Sequence, residues 1–533
     1  MGKRAALALV GIFAVAVACG QTAGSGRRSC AQLGKLSLPQ TEIVQAARVA
    51  AGALVLEHGP ADPIFTKLPA FCRVVAVSKP TDDSSIRIEV WLPLSRWNGK
   101  FMGQGNGGFA GAISYHGLAN AVLGGFASGG TDTGHTGEGT DASWALGHPE
   151  KVIDFGNRAV HLMTELSKTV VQAFYATASK PNYFSSCSDG GREALMEVQR
   201  FPEDYDGILA GAPAYNWTSL LSRAGAMNRT LLARPENYLP ASKVPAISKT
   251  VLVACQREEP GPFLADPRTC KFSPGMMLCK GAETDNCLTP AQADSLKALY
   301  AGSSLQDGTL VYHGLLPGGE LGDNGWPGWI TGDKPGSSAG SAFSEGYFRD
   351  MVYSDANWDP KSFDLDRDLK TAQEKTSSAL DAVNPDLRAF KARGGKLILY
   401  HGWNDAAISA LATIDYLKSV EQTVGQTETS SFVRLFLVPG MQHCADGPGP
   451  ADFGQRGPSF DPALDNPANN ITFALETWVE KGTAPEQVIG RGGYEVAGRK
   501  VSFAQPICAY PKAAEYKGSG DLKDAASYAC VVK

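Results

Sequence analysis

The stretch NYFSSCSDGGREAL, residues 182–195, decides how the rest of the chain is read. Its aromatic start suits a short strand, the small polar residues around Ser188 suit a sharp turn, and Arg192-Glu193-Ala194-Leu195 suits a helix that continues through Gln199. A serine on a turn between strand and helix is how a parallel sheet presents a hydroxyl at its edge. Residues 186–190 read S-C-S-D-G, so Ser186 stands at the first glycine position of the G-x-S-x-G pattern. Taken alone, such a serine is more often a loop residue than a nucleophile. Its partners have to come from elsewhere in the chain.

Outward from that turn the pattern is α/β. Residues 155–176 carry apolar positions at helical spacing, and GILAGAP (207–213) reads as a buried strand. SIRIEVWLPL (85–94) alternates as a half-buried strand does, and KFMGQGNGGFAG (100–111) is a short strand running into a glycine loop. Leu38–Leu56 reads as partly helical, and GFASGGTDTGHTG (125–137) as turn-rich. The rhythm stops between about Tyr215 and Pro385 and returns with KLILYHGWND (396–405), a helix from Ile408 to Val420, the strand and loop FVRLFLVPGMQHCADG (432–447), and a helix over Ala474–Lys481. The reading is a parallel α/β sheet core in two parts, residues 29–214 and 386–533, with an inserted domain over 215–385.

Bulk properties agree with a folded protein that is not a nucleic-acid binder. The 533 residues are 43% hydrophobic and 19% charged, with a formal charge of −5 and no basic run. Lys3 and Arg4 precede an apolar run, Ala5–Ala18, that ends in Ala-Val-Ala, which reads as a signal peptide over residues 1–18. Cys19 follows at once, so a lipoprotein signal with a lipid anchor at Cys19 is the alternative. No stretch reaches the ~18 apolar residues of a membrane span. The expected location is secreted or periplasmic.

Export permits disulfides. Of eleven cysteines, ten remain after Cys19. Local pairing joins Cys30 to Cys72, Cys255 to Cys270, Cys279 to Cys287 and Cys508 to Cys530. Cys187 and Cys444 are left over. A zinc cluster would need C-x-x-C spacing and nearby histidines, which are missing, so no metal site is expected among them.

A serine hydroxyl needs a general base, and the base needs an orienting acid. In α/β-hydrolases these follow in the order Ser, Asp or Glu, His, each just past a strand. Ser188 follows NYFSS, Asp405 follows LILYHGWN and His443 follows RLFLVPGMQ. Cys187 adjoins Ser188 and Cys444 adjoins His443, so a bridge between them would tether the nucleophile's turn to the base's loop. His401 lies at the end of the same strand as Asp405 and reads either as a wall residue or as one that supports the site from behind. His135 sits in a turn and reads as structural. The N–H of Asp189, after the serine, is one expected oxyanion donor. GNGGF supplies the other, from Gly107 or Gly108. Trp326, Trp329, Tyr347, Phe348, Arg349 and Trp358 either line an aromatic pocket or form the insertion's own core.

The combination CSDGG, YHGWND and QHC, with LPAFCRV, WNGKFMGQGNGGFAG, FPEDYDGILAGAPA and CLTPAQ, resembles the tannase and feruloyl esterase family, which includes mono(hydroxyethyl) terephthalate hydrolase. The resemblance implies an α/β-hydrolase fold with an inserted lid domain and a secreted ester hydrolase acting on small esters of hydroxycinnamic or gallic acids. It implies Ser188 as nucleophile, Asp405 as acid, His443 as base and a Cys187–Cys444 bridge. Two departures stand out. The family's glycine is replaced by Ser186. The loop between Cys255 and Cys270, where relatives carry an aspartate-rich calcium site, holds only Glu258, Glu259 and Asp266 as carboxylates. No cofactor is therefore expected, and calcium in the lid is expected to be weak or absent. The alternatives are a hydrolase of other aromatic monoesters, such as the terephthalate ester, and a non-catalytic cell-surface protein on the same fold.

Overall fold

The computed structural model describes residues 27–56, 62–256, 259–457, 465–496 and 498–533. The signal peptide read over residues 1–18, the anchor at Cys19 and Glu258 lie outside them. A nine-stranded sheet forms the centre, in the order β1-β2-β3-β5-β4-β6-β7-β10-β11. Its strands are β1 (Thr41–Val49), β2 (Phe71–Ser78), β3 (Ile86–Pro93), β4 (Phe101–Gln104), β5 (Ala127–Thr131), β6 (Asn182–Cys187), β7 (Gly207–Gly211), β10 (Lys396–Gly402) and β11 (Val433–Val438). β1, β2, β3 and β5 pair antiparallel; from β5 through β4, β6, β7 and β10 to β11 every pairing is parallel.

Both faces are covered, as a parallel sheet requires. Alternate residues of β10 point to opposite cores: Leu397 and Leu399 join the helices Ala159–Tyr175, Asp189–Arg200 and Ala410–Val424, while Ile398 and Tyr400 meet the helix Ile471–Lys481. All four are essentially excluded from solvent. Burying each such side chain contributes roughly 1.5–3 kcal/mol. The parallel strands share one C-terminal edge, and the turns after β4, β6, β10 and β11 therefore gather there.

Two segments differ from their sequence reading. Residues 41–49, inside the stretch read as partly helical, form the edge strand β1. A bulge between Ile43 and Gln45 shifts its register and leaves Val44 half-exposed. That extra residue breaks the period-2 alternation and mimics helical spacing. Residues 127–131, inside the turn-rich stretch, form β5, buried at every position between β3 and β4. Its small residues let the helix Ala159–Tyr175 lie close, with Met163 and Ser167 in the space a side chain at Gly129 would need. Packing there selects small residues rather than the β-branched ones a strand usually shows.

Between β7 and β10 the chain leaves the sheet. It forms the helices Trp217–Leu232, Val244–Cys255, Pro290–Ala301, Ala339–Gly346 and Leu365–Leu380 and a small hairpin of β8 (Ser303–Ser304) and β9 (Leu310–Tyr312). Val244, Ile247, Val251, Leu296, Leu299 and Trp326 build a core of their own there. The helix Trp217–Leu232 belongs to both parts: Trp217, Leu220 and Leu221 pack into the sheet's core, Met227 and Leu231 into the other. Two further hairpins, β12–β13 (Gln487–Val496, Arg499–Cys508) and β14–β15 (Lys512–Tyr516, Tyr528–Val532), close the chain. No helix of the described residues is long and apolar enough to cross a membrane.

Candidate active site

β6 ends at Cys187, and the helix Asp189–Arg200 begins two residues later, with only Ser188 between them. The reversal falls on Ser188, whose φ of 69° and ψ of −123° are unusual for a residue with a side chain. Neighbouring backbone holds it there. Its N–H donates to Gly211 O at 3.0 Å, and its carbonyl accepts from Ala214 N at 3.1 Å and Gly191 N at 3.0 Å. Asp189 is the first helical residue, so its N–H has no partner within the helix and points out of the turn's end. The Asp189 carboxylate turns inward to Nε of the buried Arg192, at 2.7 Å. Burial pushes that carboxyl's pKa up even though the guanidinium opposes the rise.

Asp405 lies three residues past β10, and His443 five past β11. The two loops bring them to Ser188. His443 Nδ1 is 2.8 Å from Asp405 Oδ2, and His443 Nε2 is 2.9 Å from Ser188 Oγ. A carboxylate only accepts, so Nδ1 carries the proton and Nε2 accepts from the serine hydroxyl. Asp405 Oδ1 accepts from the N–H groups of Ala407 and Ile408, both at 2.8 Å. Burial alone would raise the carboxyl's pKa. The facing imidazoles of His443 and His401 outweigh it and hold Asp405 well below the ordinary carboxylate value. This is the geometry in which a hydroxyl attacks a carbonyl while an oriented imidazole takes its proton.

Cys187 and Cys444 are bonded, with Cα atoms 5.9 Å apart, and they join the Ser188 turn to the His443 loop. The other bridges are Cys30–Cys72, Cys255–Cys270, Cys279–Cys287 and Cys508–Cys530.

Ser188 opens on a cavity of about 680 Å³, part of it open to solvent, walled by Trp217, Leu221, Met227, Trp329, Ile330 and Phe343. Trp329 stands edge-on to the His443 ring at 5.1 Å and stacks with Phe343 at 6.0 Å. Gly108 and Asp189 border the same cavity. Gly107 is exposed and does not line it.

Residues 72–531 match the family model described as tannase and feruloyl esterase. The chain belongs to the tannase and feruloyl esterase family. It is 36% identical over 537 residues to an uncharacterized esterase of Xanthomonas campestris pv. campestris, covering 96% of this chain and 92% of the relative. It is 32% identical over 469 residues to the Aspergillus fumigatus protein named "Probable feruloyl esterase B-1", covering 86% of each. The crystal structure of feruloyl esterase B from Aspergillus oryzae superposes with a TM-score of 0.83 at 30% identity, over 94% of this chain and 99% of that one. Tannin acyl hydrolase from Aspergillus niger shares the fold, with a TM-score of 0.70 at 22% identity over 92% and 90% of the two chains. The fold is that of the α/β-hydrolases, and the chain is a carboxylic ester hydrolase of feruloyl esterase and tannase type. The non-catalytic alternative is set aside.

Within this esterase the serine at the family's glycine position is accommodated by its surroundings. Ser186 lies in β6 with an ordinary negative φ, and its Oγ fills the space a side chain at Gly190 would need, 1.9 Å from where that Cβ would stand. The Cys255–Cys270 loop holds two described carboxylates, Glu259 and Asp266. Asp266 gives its oxygens to Arg268, at 2.6 and 2.9 Å. Burial raises Glu259 to about 7, with Gln505 opposing, which favours its neutral form. Calcium needs six to eight oxygens, ionised carboxylates foremost.

Of the aromatic candidates, only Trp329 reaches the cavity. Trp326, Tyr347 and Phe348 are core residues with no exposure, Trp358 stacks on Phe348 and Tyr353, and Arg349 pairs with Asp350 and Glu345. His135 is buried against Trp144 with Nε2 2.7 Å from Phe109 O, and burial pushes its pKa down to about 4. The wall residues Trp217, Leu221, Met227 and Phe343 escaped the sequence reading. The first three lie on one helix, and the spacing 217, 220, 221, 224, 227, 231 was the available signal.

Proposed function

We propose that this esterase is exported and cleaves esters of hydroxycinnamic or gallic acids through an acyl-enzyme on Ser188. The observation that carries the reading is the Ser188 Oγ–His443 Nε2 contact of 2.9 Å at the mouth of a cavity walled by aromatic rings. His443 takes the Ser188 proton as Oγ attacks the ester carbonyl, then returns it to the leaving alcohol. Water, deprotonated by the same imidazole, releases the acid and restores Ser188. Asp405 holds the tautomer and balances the imidazolium. The N–H groups of Asp189 and Gly108 are the oxyanion donors. Gly108 is favoured over Gly107 because it borders the cavity.

The segment between β7 and β10 serves as the lid, since Trp217, Met227, Trp329 and Phe343 all come from it. Flat apolar walls suit an aromatic acyl group. Five disulfides fit an oxidising compartment, reached through the residue 1–18 signal, with or without a lipid anchor at Cys19. The lid works without calcium, because Asp266 is committed to Arg268.

The test is hydrolysis of methyl ferulate and methyl gallate by the wild type and by Ser188→Ala. Cleavage that drops at least about a thousandfold in the variant is expected. Inactivity of the wild type on both esters, or an active alanine variant, overturns the proposal.

A further inference from the structure

Asp405 serves two histidines. Its Oδ2 is 2.8 Å from Nδ1 of His443 and 3.2 Å from Nε2 of His401. His401 is fully buried at the end of β10, and the proton-transfer scheme leaves it without a task. Its tautomer follows from its partners. Nε2 faces two acceptors, Asp405 Oδ2 and the Ile408 carbonyl at 3.0 Å, so Nε2 carries the hydrogen. Nδ1 is then the acceptor for the Thr413 hydroxyl, 2.8 Å away. The ring is clamped by β10, by the turn 405–408 and by the helix Ala410–Val424.

We infer that His401 is a positioning residue of the triad: a neutral, clamped N–H donor that limits how much negative charge Asp405 presents to His443. The inference rests on the triad reading above. His443 donates to Oδ2, while the His401 N–H, hydrogen-bonded to the Ile408 carbonyl, brings its partial positive charge within 3.2 Å of the same oxygen, so His401 draws on charge that would otherwise strengthen the bond to His443. The remaining groups around the carboxylate are fixed. The Ala407 and Ile408 N–H groups take Oδ1. The buried Arg223 reaches the same turn, with Nη1 3.1 Å from Ala407 O and its guanidinium over the Tyr312 ring. Without His401 the carboxylate attracts a proton more strongly, the imidazolium form of His443 is favoured, and the carboxylate loses one of the two contacts that orient Oδ2.

The experiment compares His401→Phe, which keeps a ring and removes the donor, with His401→Gln, whose amide N–H can replace Nε2–H, and Thr413→Val, which keeps the imidazole but removes the hydroxyl that fixes its tautomer. The readouts are kcat and the pH profile of kcat/KM on methyl ferulate, alongside thermal melting. His401→Phe is expected to move the acid limb up by about half a unit to one unit and to lower kcat roughly tenfold. His401→Gln restores most of both, and Thr413→Val shows a smaller shift in the same direction. Equal losses in Phe and Gln with an unmoved limb would leave only a packing role and overturn the inference. If His401→Phe does not fold, an unmoved limb in Thr413→Val overturns it alone. Activity that survives in Ser188→Ala would instead sink the triad reading itself.

Discussion

Cys187 and Cys444 are separated by 257 residues, yet their Cα atoms lie 5.9 Å apart. Each is the immediate neighbour of a triad member, so the bond fixes the relative position of two loops from different strands. Chain entropy sets an upper value of roughly 5 kcal/mol for so long a loop. Two bridges, Cys255–Cys270 and Cys279–Cys287, already shorten it. The Cys187→Ser/Cys444→Ser double variant is expected to lose about 2–4 kcal/mol of stability and at least tenfold in kcat, roughly. Urea unfolding and turnover measure the two separately. Unchanged turnover would show that strand packing alone aligns Ser188 with His443.

The two glycines of the loop after β4 respond differently to a methyl group. Gly108 has φ of +60°, and its Cβ would stand 2.2 Å from the Gly139 carbonyl oxygen; a Cβ at Gly107 meets nothing within 4 Å. Gly108→Ala is expected to destabilise the loop by about 1–3 kcal/mol and, by displacing one oxyanion donor, to cost about 3–4 kcal/mol of barrier. Gly107→Ala should leave kcat within about twofold, as an exposed site usually does. Steady-state kinetics on one aromatic ester decides it, and equal losses at both positions would refute the assignment to Gly108.

Glu193 anchors that same loop from below. Its Oε2 accepts from Asn106 N at 2.8 Å while the side chain is almost wholly buried. Burial first, then the charge of Asp189, raises its pKa to about 8. A folded-state value above the unfolded one means that this group's share of stability is complete below about pH 4.5 and is lost as the pH climbs through 8. Glu193→Gln still offers an oxygen to Asn106 but cannot ionise. The variant should therefore show a smaller fall in melting temperature between pH 6 and pH 9 than the wild type does. Parallel curves would place the ionisation elsewhere.

Asp405 has the opposite sign. Its pKa is depressed in the folded state, so its contribution is present above the ordinary value near 3.8 and disappears only as the pH falls toward the lower folded value. Asp405→Asn is expected to cut kcat by roughly 10⁴-fold through the wrong histidine tautomer. It should also flatten the acid limb of stability below pH 4. Acid titration followed by fluorescence tests the second point independently of catalysis.

Much of this was readable in one dimension because the chemistry sits at strand ends. Tyr183-Phe184, Leu397–Tyr400 and Leu435-Phe436 are buried on both faces, so they read as apolar runs, and Ser188, Asp405 and His443 each follow one of them. Local cysteine spacing left Cys187 and Cys444 over, which pointed to the bridge between their loops. Where the reading failed, packing overrode local pattern. The bulge at Val44 disguised β1, and the small residues of β5 answer a helix lying on that strand.

The order of triad residues, the cysteine inventory and the α/β rhythm are properties of the chain as written, since periodicity and neighbour identity need no third dimension. The cavity is another matter. Trp217, Trp329 and Phe343 come from three separate helical segments and meet only after folding. The choice of Gly108 over Gly107 and the second imidazole on Asp405 likewise depend on distances of a few ångströms between strands. Hydrogen bonds and ring contacts act over that range, and sequence separation carries no measure of it.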